Sequence, residues 1–102
     1  MVLSATVLAA CVGTYHEKPS EVSALEVSAY KAAMGMGCRD QGKGLGDPPE
    51  QVERRCQCAQ DALNASLTED EWRRATFFAQ QKRDRDEARV MAPHMKAVKE
   101  CK

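Results

Sequence analysis

The residues of this chain best suited to chemistry are its cysteines and histidines. They are Cys11, Cys38, Cys56, Cys58 and Cys101, together with His16 and His94. Cysteine thiols can form disulfides, bind zinc or copper as thiolates, or act as redox groups and nucleophiles. Each use requires its own spacing and setting, so the surroundings of each cysteine decide among them.

The first cysteine follows a short apolar segment. Residues 2–10 carry no charge, and they are too few to span a bilayer, which needs about 20 apolar residues. Their number suits the apolar region of a signal peptide. Leu8-Ala9-Ala10-Cys11 resembles the bacterial lipobox, in which a large apolar residue and two small residues precede an obligatory cysteine.

This resemblance to bacterial lipoproteins implies that Cys11 is lipidated and becomes the first residue of the mature chain. Leu8 stands where ordinary signal peptidase prefers a small residue. Val12 beside the anchor implies the outer membrane, if the cell is Gram-negative, with the chain facing the periplasm. No Lys or Arg precedes the apolar segment, so we expect the true translation start upstream of Met1. The alternative is a short buried helix with an ordinary cysteine.

The cysteines after Cys11 number four, and an oxidising compartment favours two disulfides. Cys56 and Cys58 are two positions apart on a predicted helix and point about 200° away from each other, so they do not pair. Two pairings stay open: Cys38–Cys56 with Cys58–Cys101, or Cys38–Cys58 with Cys56–Cys101. Both join the second helix to the end of the first and to the last residues of the chain. Each disulfide should contribute about 3–4 kcal/mol.

Two other uses of these cysteines fit their spacing less well. A metal site would take Cys56, Cys58 and Cys38, with or without His94, but C-x-C departs from the usual C-x2–4-C spacing and lacks a second pair. A redox motif would be C-x-x-C in a βαβ fold, and neither feature fits. We predict no cofactor and no resident metal. A metal carrier or sensor using Cys56 and Cys58 is the alternative function.

The histidines give no catalytic constellation. His16 lies in a predicted tether without a partner, and His94 follows Pro93, where it should face solvent or cap a helix. The glycine-rich segment RDQGKGLGD lacks the strand and the Lys-Ser/Thr of a phosphate-binding loop, so a flexible surface loop is expected. We predict that the protein is not an enzyme.

Length and charge narrow the remaining function classes. The 102 residues support one domain, and 15 basic and 15 acidic residues leave no net charge. The stretch QQKRDRDEAR alternates in sign without aromatic residues, as a solvated helix face does, so nucleic-acid binding is not expected. An alanine-rich core of this size needs the extra stabilisation of disulfides.

Helical periodicity, with no period-two alternation, predicts an all-α fold: a small bundle of three to four helices held by two disulfides. We divide the chain into a signal peptide (1–10), a lipidated tether (11–20) and a helical domain (21–102). Ser20 should cap the first helix, which ends at Gly35–Cys38. Its inward face is predicted to carry Val22, Leu25, Ala29, Ala32, Ala33 and Met36.

Two later helix starts are marked by capping residues. Asp47 should cap a helix over 48–65, with Pro48 at N1 and Glu50 at N3. Thr68 and Glu71 should form the capping box of a third helix that continues to Arg89. Pro93 should end or kink that helix before a last short helix over 94–101.

The aromatic residues and methionines complete the expected picture. Trp72 and Phe78 should lie in the core, whereas Phe77 should point elsewhere. Phe77 and Tyr30, with Met34, Met36, Met91 and Met95, are candidates for an exposed apolar patch. The resulting hypothesis is a non-enzymatic, periplasm-facing lipoprotein that contacts a protein partner in the envelope, such as a secretion or conjugation accessory, an immunity protein or a stress factor.

Overall fold

The computed structural model of the protein describes residues 15–101, and this part of the chain is all-α. Its helices are α1 (Ala24–Gly44), α2 (Pro49–Ser66), α3 (Glu69–Gln80), α4 (Asp84–Met91) and the short α5 (Met95–Lys99). Two 3₁₀-helices lie at Pro19–Glu21 and Ala92–His94. The predicted helical bundle with two disulfides is confirmed.

The bundle is organised around α2, which packs against α1 on one side and α5 on the other. α3 packs on α4 and on α1, and the 3₁₀-helix at Pro19–Glu21 lies against α3. Helix α2 is therefore covered on two sides, by α1 and by the end of the chain. Val52, Cys56 and Leu63 are the buried apolar residues of α2.

α1 begins three residues later than predicted. Ser23, rather than Ser20, is the N-cap: its hydroxyl accepts a hydrogen bond from the Glu26 amide, and the Glu26 carboxylate accepts one from the Ser23 amide. This reciprocal pair satisfies two backbone donors that a helix start leaves open. Ser20 lies within the preceding 3₁₀-helix instead.

α1 also ends later than predicted, because most of the glycine-rich segment is helical. The helix continues past Gly37 to Gly44, and only Gly46, with φ of +79°, forms the expected turn. Gly42 explains this result, because it is buried where α1 meets α2. A Cβ at Gly42 would lie 2.8 Å from both γ-carbons of Val52. The glycine therefore permits close helix packing rather than a flexible loop.

Of the predicted inward face of the first helix, only Val22 is buried, and it precedes α1. Leu25, Ala29, Ala32, Ala33 and Met36 are exposed, with Leu25 81% and Met36 65% exposed. The side that faces the core carries Val27, Tyr30 and Met34, which pack against the buried cluster. Apolar residues, many of them alanine, occur on every side of α1. Hydrophobic periodicity alone therefore did not identify the buried side.

α2 starts at Pro49, one residue later than predicted, and Asp47 does not cap it. Pro48 has φ −57° and ψ 136°, since the residue before a proline is pushed out of the helical region. Pro48 therefore becomes the N-cap position, and it offers no side-chain acceptor. The Asp47 carboxylate instead accepts a hydrogen bond from the Arg55 guanidinium at 2.7 Å.

The third predicted helix is divided in two. Thr68 and Glu71 form the predicted capping box of α3. The helix then ends at Gln80, and α4 begins at Asp84 after Lys82, whose φ of 57° turns the chain. The break lets α4 fold back on α3 instead of extending beyond the core. Pro93 lies in the following 3₁₀-helix, where the predicted interruption is seen.

The core lies where the helices converge on Trp72. Its buried members are Leu63, Leu67, Trp72, Ala75, Val90 and Met91. Tyr30 packs edge-to-face on Trp72 at 6.2 Å between ring centroids and donates a hydrogen bond to the Glu87 carboxylate, which joins α1 to α4. Phe77 is buried and Phe78 only half-buried, the reverse of the prediction.

Candidate functional site

The four cysteines of the described chain form two disulfides. Cys38 pairs with Cys56, with Cα atoms 5.9 Å apart, and Cys58 pairs with Cys101, with Cα atoms 5.8 Å apart. Of the two pairings that the sequence left open, the structure contains the first. Helix α2 is thereby joined to α1 and to the residue that follows α5.

The pairing bears on the metal alternative, because Cys56 and Cys58 are bonded to different partners. In this oxidised state neither sulfur is a free thiolate, which is the form that binds zinc or copper. Within residues 15–101, no group of three or more His, Cys, Asp or Glu side chains is arranged to hold a metal ion.

Two depressions flank the Cys38–Cys56 disulfide. One, of about 300 Å³, is lined by Gln41, Gly42, Leu45 and Arg55 together with residues of both disulfides. The other, of about 170 Å³, is lined mainly by apolar side chains, among them Met34, Leu63, Trp72 and Met95. Neither lining contains a histidine, serine or carboxylate, so these depressions can bind apolar groups but hold no acid–base pair.

His94 is the centre of a polar network that joins three helix ends. Its Nδ1 is hydrogen-bonded to the Ser66 hydroxyl at 2.5 Å, and its Nε2 donates to the Glu71 carboxylate at 2.9 Å. Ser66 is the last residue of α2 and Glu71 lies in the first turn of α3. The prediction that His94 faces solvent is wrong, because the side chain is buried and bonded through both nitrogens. His94 does occupy the N-cap position of α5, but its side chain makes no capping hydrogen bond there.

This network has the residue types of a serine–histidine–acid triad, and sequence reasoning missed it. In a triad the histidine takes the serine proton while the acid orients the ring. Here the Glu71 carboxylate also accepts the Thr68 amide at 2.9 Å as part of the capping box. The Thr68 amide, followed by the His94 ring, lowers the pKa of Glu71 below its ordinary value. All three polar groups are thus engaged in connecting α2, α3 and the 3₁₀-helix before α5.

A second network fastens the start of the described chain to the domain. The carboxylate of Glu26 binds the ring of His16 at 2.8 Å and accepts a hydrogen bond from Gln80 at 2.6 Å. The side-chain amide of Gln81 donates a hydrogen bond to the backbone carbonyl of His16 at 2.8 Å. Val22, six residues after His16, is buried. We call His16, Val22, Glu26, Gln80 and Gln81 the N-terminal clasp. The prediction that His16 lacks a partner is wrong.

The clasp holds Glu26 in its charged form. Partial burial disfavours the charge, but hydrogen bonds from Gln80, the Ser23 amide and His16 outweigh it and lower the pKa of Glu26 to about 2. The carboxylate is therefore ionised at neutral and at mildly acidic pH.

The remaining predicted residues are spread over the molecule. Cys11 and the rest of Leu8–Cys11 lie outside the described residues. Of the residues proposed for an apolar patch, Met36 and Met95 are exposed, Tyr30 and Met34 are half-buried, and Phe77 and Met91 are buried. Tyr15, Leu25 and Leu45, which the sequence did not single out for exposure, are 69%, 81% and 73% exposed.

No family model, curated protein or solved structure matches this chain. Within residues 15–101, no helix combines the length and the apolar character that crossing a membrane requires. The features of the described chain that bear on function are the disulfides, the two polar networks and the exposed apolar residues.

Proposed function

We propose that the protein is a non-enzymatic lipoprotein of the bacterial envelope, anchored through Cys11, whose helical domain faces the periplasm and contacts another envelope component. The observation that carries this proposal is the cysteine pairing. Four cysteines are consumed in two disulfides, and Cys11 is the one cysteine left over for the lipid. Disulfides of this kind persist in exported proteins and are rare in the reducing cytosol.

The non-enzymatic part of the proposal is supported by the location of the polar groups. A catalytic triad would make the same hydrogen bonds as Ser66, His94 and Glu71, but none of these residues lines the depressions beside the disulfides. The depressions beside the disulfides have linings without catalytic residue types. Surfaces of this kind suit recognition of apolar groups on a partner.

Labelling with an alkyne analogue of palmitate, followed by fractionation of cells, tests the proposal. The wild-type protein, expressed from its own gene in a Gram-negative host, should incorporate the label and sediment with membranes. Cys11→Ser should do neither, whereas Cys101→Ser, a control that also removes one thiol, should still be labelled. Equal labelling of wild type and Cys11→Ser, or none in either, would refute lipidation at Cys11.

The contact with a partner needs a separate test. A photo-crosslinking amino acid at Leu45, which lies at the rim of the larger depression, should give a discrete crosslinked product in intact cells. The same group at Gln51, an exposed residue of α2 outside that lining, is the control. Identical product patterns at both positions would contradict a specific surface at Leu45.

A further inference from the structure

α1 carries an apolar surface that the described part of the chain leaves uncovered. Leu25, Ala29, Ala32 and Met36 are all exposed and fall within about 60° of one another around the helix at 3.6 residues per turn. They extend over about 16 Å of the helix axis at 1.5 Å per residue. We call these four residues the α1 stripe. Exposed apolar residues that are contiguous in this way mark a contact surface.

The N-terminal clasp determines where the chain meets this stripe. The ring of His16 is bonded to Glu26, and Glu26 directly follows Leu25. The chain that comes from Cys11 therefore reaches the domain beside the first residue of the stripe. Tyr15, which precedes His16, is 69% exposed at this point.

The distance to the lipid is short. Tyr15 is four positions after Cys11, and a fully extended chain covers at most about 3.6 Å per position, or about 14 Å in total. The predicted ten-residue tether is therefore already fastened to the domain from His16 onward. A lipid on Cys11 would hold Tyr15 close to the headgroup layer, where tyrosine is enriched in membrane proteins.

We propose that Tyr15 and the α1 stripe dock on the surface of the lipid bilayer that holds the acyl chains of Cys11. This docking rests on the lipid anchor of the proposed function. The short connection keeps the stripe at a high local concentration of lipid, so no partner protein is needed to cover it. The stripe carries no charge and the protein has no net charge, so docking does not depend on anionic lipids.

Leu45 supplies a matched control. It lies at the other end of α1, about 30 Å from Leu25 along the axis and about 200° around it. Both leucines are strongly exposed, at 73% and 81%. Docking through the α1 stripe therefore turns Leu45 and the larger depression away from the bilayer.

The test compares Leu25→Trp with Leu45→Trp in the lipidated protein, purified from membranes and reconstituted into phosphatidylcholine vesicles with brominated acyl chains. Bromine quenches tryptophans near the acyl boundary, the depth that an interfacial helix reaches, so Leu25→Trp should lose about half of its added emission. Leu45→Trp should lose none. Trp72 is buried and common to both variants, so its emission cancels.

Flotation of the same vesicles separates the possible failures. Protein that floats but shows equal quenching at both positions overturns the docking, leaves the lipid anchor intact, and assigns the stripe to a protein partner. Protein that does not float and carries no lipid by mass refutes the proposed function and the docking together. Stronger quenching at Leu45→Trp than at Leu25→Trp also overturns the docking, because the domain would then lie the other way round.

Discussion

Two single substitutions, Gly42→Ala and Gly37→Ala, test the close packing of α1 on α2 at the glycine-rich segment. Both residues lie within α1. At Gly42 an added Cβ would lie 2.8 Å from both γ-carbons of Val52, whereas at Gly37 nothing lies within 4 Å. The two substitutions therefore make the same chemical change in two different surroundings.

The two substitutions should change the free energy of unfolding in opposite directions. Alanine is favoured over glycine in a helix interior by about 0.8–1 kcal/mol, and at the open Gly37 position we expect a stabilisation of about this size. At Gly42 the same gain is opposed by overpacking, which costs about 1–3 kcal/mol. Val52 is buried and α1 is tied to α2 by the Cys38–Cys56 disulfide, so the helices cannot simply move apart. The difference between the variants should be about 1–3 kcal/mol.

Urea denaturation of the oxidised proteins, followed by circular dichroism and by the fluorescence of Trp72, measures this difference. Val52→Ala removes the γ-carbons that an alanine at position 42 would meet. Gly42→Ala should therefore destabilise the Val52→Ala variant less than it destabilises the wild type. If Gly42→Ala proves as stable as Gly37→Ala, the close approach of α1 and α2 is wrong. If Gly37→Ala does not stabilise the protein, the segment around Gly37 is not helical.

Three further predictions concern the disulfide, the clasp and the polar network. Removing Cys58 and Cys101 together should cost about 4 kcal/mol in urea denaturation, because a separation of 43 residues is then no longer closed in the unfolded chain. Glu26→Gln should lower stability by about 1–2 kcal/mol at neutral pH, allowing for solvent screening. Since the folded pKa of Glu26 is about 2 and the ordinary value is 4.5, this deficit should shrink as the pH falls from about 5 to 2. His94→Ala should cost about 1–3 kcal/mol, because it removes a buried ring together with both of its hydrogen bonds.

Each of these predictions has an outcome that would contradict it. Unchanged stability without the Cys58–Cys101 disulfide would mean that α5 is not held by it. A pH-independent deficit in Glu26→Gln would show that the carboxylate is not stabilised by the clasp. Ser66→Ala should cost less than His94→Ala, since Ser66 is exposed, and the reverse order would refute His94 as the centre of the network.

The fold class was predictable from the sequence because helical periodicity is a local signal. The disulfide partners were predictable to within two pairings because an even number of cysteines, four, follows Cys11. The Thr68–Glu71 capping box was predicted correctly since its residues contact one another within one turn. The choice between the pairings needed the relative positions of α1, α2 and the chain end, which spacing alone does not give.

The errors arose where tertiary packing overrode local signals. Gly42 reads as a loop residue, but contact with Val52 makes a glycine necessary inside α1. Lys82 adopts a left-handed conformation, which is usually occupied by glycine or asparagine, so its residue type gave no sign of the turn. The partners of His94 lie 23 and 28 residues away, and that of His16 lies 10 away, so no local pattern points to them.

The most direct test of the account is mass spectrometry of the mature protein isolated from its envelope, with and without reductant and after proteolysis. We predict a chain that begins at Cys11 and carries a diacylglyceryl group, with crosslinked peptides for Cys38–Cys56 and Cys58–Cys101 that separate only on reduction. Free thiols at these four positions, or an unmodified Cys11 within a longer chain, would contradict the account.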